Sequence, residues 1–158
     1  MNAPKSPSPH RGSSASERPG PYAHARLALR PPTFPPGPLN GAWWPRSDDL
    51  AAELTALTEV FDASRGRVTR IACHRGSWPT QPQALSVKGH SVTITWLASG
   101  LDPHTIRLFS YGAGRWDLLV IPPHSAAAVA ARLMSAASDP ALRLDGSALM
   151  AAESPPGT

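Results

Sequence analysis

Residues 41–61 read Gly-Ala-Trp-Trp-Pro-Arg-Ser-Asp-Asp-Leu-Ala-Ala-Glu-Leu-Thr-Ala-Leu-Thr-Glu-Val-Phe and contain the clearest structural signal of the chain. In their second half, apolar side chains recur every three or four residues, which places them on one face of a helix. These side chains are Leu50, Leu54, Leu57 and Phe61. Ser47 is a suitable N-cap, and Asp48 and Asp49 follow in the first turn, where carboxylates favour the helix dipole. The pattern predicts a helix over residues 48–64.

The remaining periodicity is that of strands. Alternating or β-branched segments predict five strands, at residues 25–30, 67–73, 91–97, 105–110 and 115–121. An alanine-rich segment predicts a second main helix over residues 125–137, and a short third helix near residues 147–152 remains open. The proline-rich residues 31–41 are expected to cross the molecule without pairing in a sheet.

Consecutive strands with no helix between them predict an α+β domain. We expect a largely antiparallel sheet of about five strands with helices on one face. A barrel-like sheet that curls around the first helix is the alternative. A hairpin turning at Gly112-Ala113-Gly114 would bring Arg107 nearly opposite Asp117.

Composition divides the 158 residues into a body and two tails. Residues 1–24 contain mainly Ser, Pro, Gly, Arg and His, with little apolar surface to bury, and are predicted to be a disordered basic tail. Residues 25–152 are predicted to form a single domain, and residues 153–158 a second disordered tail.

The calculated pI of about 10 comes from the front of the chain. Residues 1–46 contain six basic residues and one acidic residue, whereas residues 47–158 contain nine basic and ten acidic residues. Nucleic-acid-binding domains concentrate cations on a folded face. We therefore expect no nucleic-acid binding by the body, and weak association through the tail is an alternative.

No cofactor or metal is predicted. Cys73 is the only cysteine, which excludes an intramolecular disulfide and a cysteine-based zinc site. The six histidines lack metal-ligand spacing, and no phosphate-binding glycine loop or nucleophile elbow is present. The sequence has no apolar run of membrane-spanning length and no apolar signal segment at its start. A cytoplasmic protein is expected.

The run Gly41-Ala42-Trp43-Trp44-Pro45-Arg46-Ser47 carries a family resemblance. Asp102-Pro103-His104-Thr105, the run from Arg115 to Pro123 and the Trp78-Pro79 loop support it. Over residues 25–150 the chain resembles a family of small uncharacterised actinobacterial proteins, a domain of unknown function with this tryptophan signature. The resemblance implies one compact domain in a bacterial cytoplasm, and it implies no activity, cofactor or site residue.

Large aromatic and basic side chains in loops are the candidate binding residues. They are Trp43, Trp44, Arg46, Trp78 and His104, and the sixth candidate is the carboxylate Asp117 within the predicted strand 115–121. For the two adjacent tryptophans the alternative is packing, one in the core and one over a sheet edge. For Asp117 the alternatives are a cross-strand ion pair with Arg107 and a buried polar network near Arg46 or His104.

The sequence thus predicts a non-catalytic binding or interaction module for a partner protein or a small ligand. The alternative from another class is a small cofactor-free enzyme. It would use Asp117 and His104 as acid and base, with Arg46 binding an anionic substrate, and it needs all three in one cleft.

Overall fold

The computed structural model describes residues 25–31, 37–112 and 114–153. The strands are β1 (Leu27–Leu29), β2 (Gly41–Trp43), β3 (Val68–His74), β4 (Ala84–Val87), β5 (His90–Leu97), β6 (Thr105–Ser110) and β7 (Gly114–Val120). The helices are α1 (Leu50–Ser64), α2 (Ala127–Ala137) and α3 (Gly146–Glu153). Both predicted tails, apart from Glu153, lie outside the described residues.

The strands form one seven-stranded mixed sheet in the order β1-β2-β7-β6-β3-β5-β4. β2 is parallel to β7 and β3 is parallel to β5, while the other neighbours are antiparallel. Consequently β2, β7, β3 and β5 all run in one direction, and β1, β6 and β4 run in the other. We call the edge where the first four strands end the carboxyl edge, and the opposite one the amino edge.

The α+β class is as predicted, but the prediction of about five antiparallel strands and two main helices is wrong. β2 was missed because it has only three residues and follows the proline-rich segment. It is ordered by pairing with β1 on one side and β7 on the other. β4 was missed at a hairpin whose turn residues Lys88 and Gly89 both have positive φ, 46° and 87°. The linear strand order also excludes the barrel alternative.

The helices lie on both faces of the sheet, not on one. Adjacent residues of a strand point to opposite faces, and both faces are buried in β2 and at residues 117–119 of β7. Trp43 and Leu118 belong to the apolar cluster that includes α1. Ala42 and Leu119 belong to the cluster that includes α2 and α3. The apolar residues on both sides of β7 therefore form the centre of two cores.

The first helix is close to its prediction, except at its start. Leu50, Leu54, Leu57 and Phe61 are all fully buried, as the spacing predicted. The N-cap is Asp49, whose carboxylate accepts a hydrogen bond from the Ala52 backbone N–H, and not Ser47. Of the described helices, none has the length and apolar character that crossing a membrane requires.

Candidate functional site

Several chain segments meet at the carboxyl edge because of the strand directions. The residues after β2, β3 and β7 leave the sheet there, and the residues before β6 enter it there. Between them is a cavity of about 460 Å³, lined by fourteen residues of these segments and strand ends. The carboxyl ends of parallel strands are a common position for ligand sites in α/β sheets.

An aromatic and apolar wall forms one side of the cavity. Trp78 lines it and is half-buried. Its ring centroid lies 6.0 Å from that of Trp43, at an interplanar angle of 32°. Trp43 is fully buried, so the core supports the Trp78 ring from behind. The side chains of Ile106 and Val120, from neighbouring strands, add to the apolar lining.

Three imidazoles, those of His74, His104 and His124, also line the cavity. The Gly76 backbone N–H donates to Nδ1 of His74, with 3.2 Å between the two nitrogens. A nitrogen that accepts a hydrogen bond carries no proton, so neutral His74 has its proton on Nε2. The other ring nitrogen of neutral His74, Nε2, is therefore a hydrogen-bond donor.

Asp102 fixes the segment that carries His104. Its Oδ1 accepts from the His104 backbone N–H (2.8 Å) and the Ser147 hydroxyl (3.0 Å), and its Oδ2 accepts from the Ser147 backbone N–H (3.0 Å). Burial acts to raise the pKa of Asp102, but these hydrogen bonds outweigh it and lower the pKa. The carboxylate thus joins the start of α3 to the entrance of β6.

A second bond holds the β3–β4 segment against the same loop, because the Ser77 hydroxyl donates to the Pro103 carbonyl at 2.8 Å. At the mouth of the cavity, Nε2 of His124 lies 3.7 Å from Oδ2 of Asp48. Both of these side chains are mostly exposed, so this pair contributes little to stability.

Cys73 lines the cavity but does not provide a nucleophile. Its residue is 1% exposed, and burial raises the pKa of its thiol to about 12. Thiolate is the reactive form of cysteine, and this environment disfavours it.

The structure brings together only part of the predicted set. Trp78 and His104 line the cavity, and Trp43 lies behind Trp78. Trp44 is outside the lining and donates from Nε1 to the carbonyl of Pro122, which does line the cavity (3.1 Å). One tryptophan is therefore in the core and the other lies half-buried outside it.

Arg46 and Asp117 lie elsewhere. Arg46 is exposed, and its backbone N–H donates to the Glu53 carboxylate at 2.9 Å. Asp117 is paired with Arg107, as the predicted hairpin register required. Two hydrogen bonds of 2.8 and 3.2 Å join their side chains. The cavity lining includes His104 but neither Arg46 nor Asp117.

Sequence reasoning missed His74, His124 and Asp48 as neighbours of His104. The available signal was positional, since His74 ends a strand and the other two follow strand ends within a few residues. Using it requires the strand directions, which the antiparallel prediction gave wrongly. Among the described residues, no three His, Cys, Asp or Glu side chains are grouped so as to hold a metal ion.

Comparison with curated proteins and with solved structures gave no significant match. The family of unknown function DUF5994 matches residues 26–137, which is more than half of the chain and includes the tryptophan-rich segment, α1, the whole sheet and α2. The chain therefore belongs to the family of unknown function DUF5994.

Proposed function

We propose that this protein is a non-catalytic binding module whose cavity at the carboxyl edge takes a small molecule with a planar ring. The observation that carries the proposal is the cavity itself, with a volume of about 460 Å³ and with Trp78 and three imidazoles in its lining. Small-molecule sites have volumes of roughly 300–1,000 Å³, mostly apolar walls and a few polar groups that fix orientation. The Trp78 ring provides a stacking surface that the buried Trp43 holds in place.

The hydrogen-bonding state of His74 supports a more specific ligand chemistry. Because Nδ1 accepts from Gly76, the free nitrogen of neutral His74 donates. A ligand group that accepts, such as a carbonyl, an amide or a carboxylate, satisfies this donor. A group that only donates leaves it unsatisfied at a cost. The ligand is thus a ring with an acceptor on its edge.

The described acidic and nucleophilic groups near the cavity favour a binding role over a catalytic one, because its imidazole–carboxylate pair, His124 with Asp48, is mostly exposed to solvent. The Asp102 carboxylate is engaged by three donors, and the Cys73 thiol is kept protonated. The alternative with Asp117, His104 and Arg46 requires one cleft, and only His104 is in the lining of this one.

We further propose that residues 25–152 fold as a single domain and that the protein functions in the cytoplasm of an actinobacterium. The first part rests on the composition of the chain. The second rests on the resemblance of the Trp43-Trp44 signature and on the use of 13 arginines against two lysines.

The test uses three probes that share a ring and differ in polar group: naphthamide, naphthoate and naphthylmethylamine. A ligand that binds only the native state raises its stability, by about 2.7 kcal/mol at a hundred times its Kd. We expect naphthamide and naphthoate to raise the unfolding temperature and the amine to leave it unchanged. Stronger binding by the amine would place the probe against Asp48 and contradict the acceptor requirement.

Variants locate the binding. Trp78→Leu should abolish the shift with naphthamide, while Trp96→Leu should keep it, because Trp96 is a half-buried tryptophan outside the cavity. His74→Phe should remove the preference for the amide over the amine. If no probe shifts the wild type, or if both tryptophan variants respond alike, the cavity is not a ring-binding site. A partner protein would then be the better interpretation.

A further inference from the structure

The amino edge of the sheet, opposite the cavity, has a cluster of exposed arginines and aromatic rings. We call it the basic aromatic patch and define it as Arg67, Arg70, Phe109, Tyr111 and Arg115. The three arginines are exposed, Phe109 is half-buried and Tyr111 is 80% exposed. Large apolar residues are rarely this exposed in the described part of the chain, where Leu144, at 40%, is the other case.

Pairing within the sheet makes the patch contiguous. Phe109 is the register partner of Arg70 on one side and of Arg115 on the other. The Arg70 guanidinium carbon lies 4.2 Å from the centroid of the Phe109 ring. The Tyr111 backbone N–H donates to the Arg67 carbonyl at 2.8 Å, which places the end of β6 beside the start of β3.

The patch is positively charged. Among the ion pairs of the described residues, none involves Arg67 or Arg70, and Arg115 lies 3.5 Å from the Asp117 carboxylate. Arg107 already satisfies that carboxylate at 2.8 Å. The near-zero charge of residues 47–158 is a sum over the whole body and does not describe this local surface.

We propose that the basic aromatic patch binds a single-stranded polynucleotide. Cations interleaved with exposed rings are what such strands require, because phosphates pair with arginines and unpaired bases stack on aromatic side chains. An acidic peptide would match the charge but would not need Tyr111. A duplex would keep its bases stacked internally and would engage only the arginines. The patch is separate from the cavity, so this proposal is independent of the ring-binding one.

The test measures fluorescence anisotropy of labelled oligothymidylate, about 12 nucleotides long to suit the usual site sizes, with the full-length protein. Each phosphate contact on a single strand contributes about 0.7 to the slope of log affinity against log salt. Arg70→Ala/Arg115→Ala should therefore lower the slope by about 1.4. Tyr111→Ala should weaken binding by about fivefold or more with the slope unchanged, because stacking does not depend on counterions.

The matched control is Arg75→Ala/Arg143→Ala, which removes two exposed arginines outside the patch. We expect it to bind nearly as the wild type does. Thermal unfolding of every variant checks that it is folded. Equal losses in the two arginine variants would indicate diffuse charge or the basic N-terminal segment, and would overturn the proposal. The proposal would also be overturned if Tyr111→Ala bound the oligonucleotide as tightly as the wild type, or if no binding occurred at low salt. Equal affinity for a duplex of the same length, or equally effective displacement of the oligonucleotide by polyglutamate, would overturn it as well.

Discussion

Replacing Asp102 with alanine tests how the cavity segment is joined to α3. The wild-type carboxylate accepts three hydrogen bonds, from the His104 backbone N–H and from both the backbone and the hydroxyl of Ser147. Hydrogen bonds contribute about 0.5–1.5 kcal/mol each, and more when one partner is charged. Since Asp102 is half-buried, we take about 1 kcal/mol for each bond. The variant should lose about 3 kcal/mol of unfolding free energy.

A loss of 1 kcal/mol lowers Tm by roughly 4 °C in a domain of this size. Asp102→Ala should therefore lower Tm by about 12 °C. Asp145→Ala is the matched control, because Asp145 caps the same helix with a single side-chain bond to the Ala148 backbone N–H. Loss of an ordinary cap costs about 1 kcal/mol. If Asp102→Ala lowers Tm no more than Asp145→Ala does, the hydrogen bonds from Asp102 to Ser147 contribute no more stability than an ordinary helix cap.

The pH dependence gives a second check on Asp102. Its folded pKa lies below the ordinary value of 3.8, so its stabilisation is complete above that value and is lost as the pH falls through the lowered pKa. Asp102→Asn does not titrate and keeps one acceptor oxygen. In urea unfolding, the difference between wild type and Asp102→Asn should be constant near neutral pH and should shrink below about pH 4. A difference in unfolding free energy that did not change with pH would refute the lowered pKa of Asp102.

Three further predictions concern the sheet and the core. Gly41→Ala should cost more than about 3 kcal/mol of stability, because the new Cβ would lie 2.1 Å from a backbone oxygen of β1. Gly89→Ala, also at positive φ but in open space, should cost only about 1–2 kcal/mol, and chemical denaturation compares the two. Arg107→Ala should cost about 1–3 kcal/mol. In a double-mutant cycle, adding Asp117→Ala should recover part of the stability lost in Arg107→Ala. If the losses of the two single variants simply add in the double variant, the two side chains are not coupled. The Cys73 thiol, with its pKa raised to about 12, should react slowly with a disulfide reagent at pH 8 in the folded protein and rapidly in urea. A fast reaction of the folded protein would contradict the burial of this thiol.

The parts of the fold that the sequence predicted well depend on local contacts. The spacing from Leu50 to Phe61 predicted α1 because a helix buries one face at a fixed period. The Arg107–Asp117 pairing followed from the position of the β6–β7 turn. β2 has no such local signal, since three residues are too few for a period. β2 forms a strand because it pairs with β1 and β7, which lie outside its own short segment of sequence.

The candidate site was less predictable for the same reason. Trp78 and His104 were identified from their residue types and their positions in loops. His74 was not, because its role depends on a bond from Gly76 that fixes its tautomer and on the direction of β3. The grouping of these side chains also requires that β7 lie parallel to β3 with β6 between them. No local pattern in a single sequence specifies that order.

The strand directions also separate the two proposed surfaces. β2, β3 and β7 end at the edge that holds the cavity, whereas β3 and β7 begin, and β6 ends, at the basic aromatic patch. Arg70 and His74 belong to the same strand, four residues apart, so at about 3.3 Å per residue the two surfaces are roughly 13 Å from each other. They belong to the same sheet but share no side chain. Because a ligand shifts affinity at another site only through a state that both sites bias, occupancy of the cavity should leave oligonucleotide affinity unchanged.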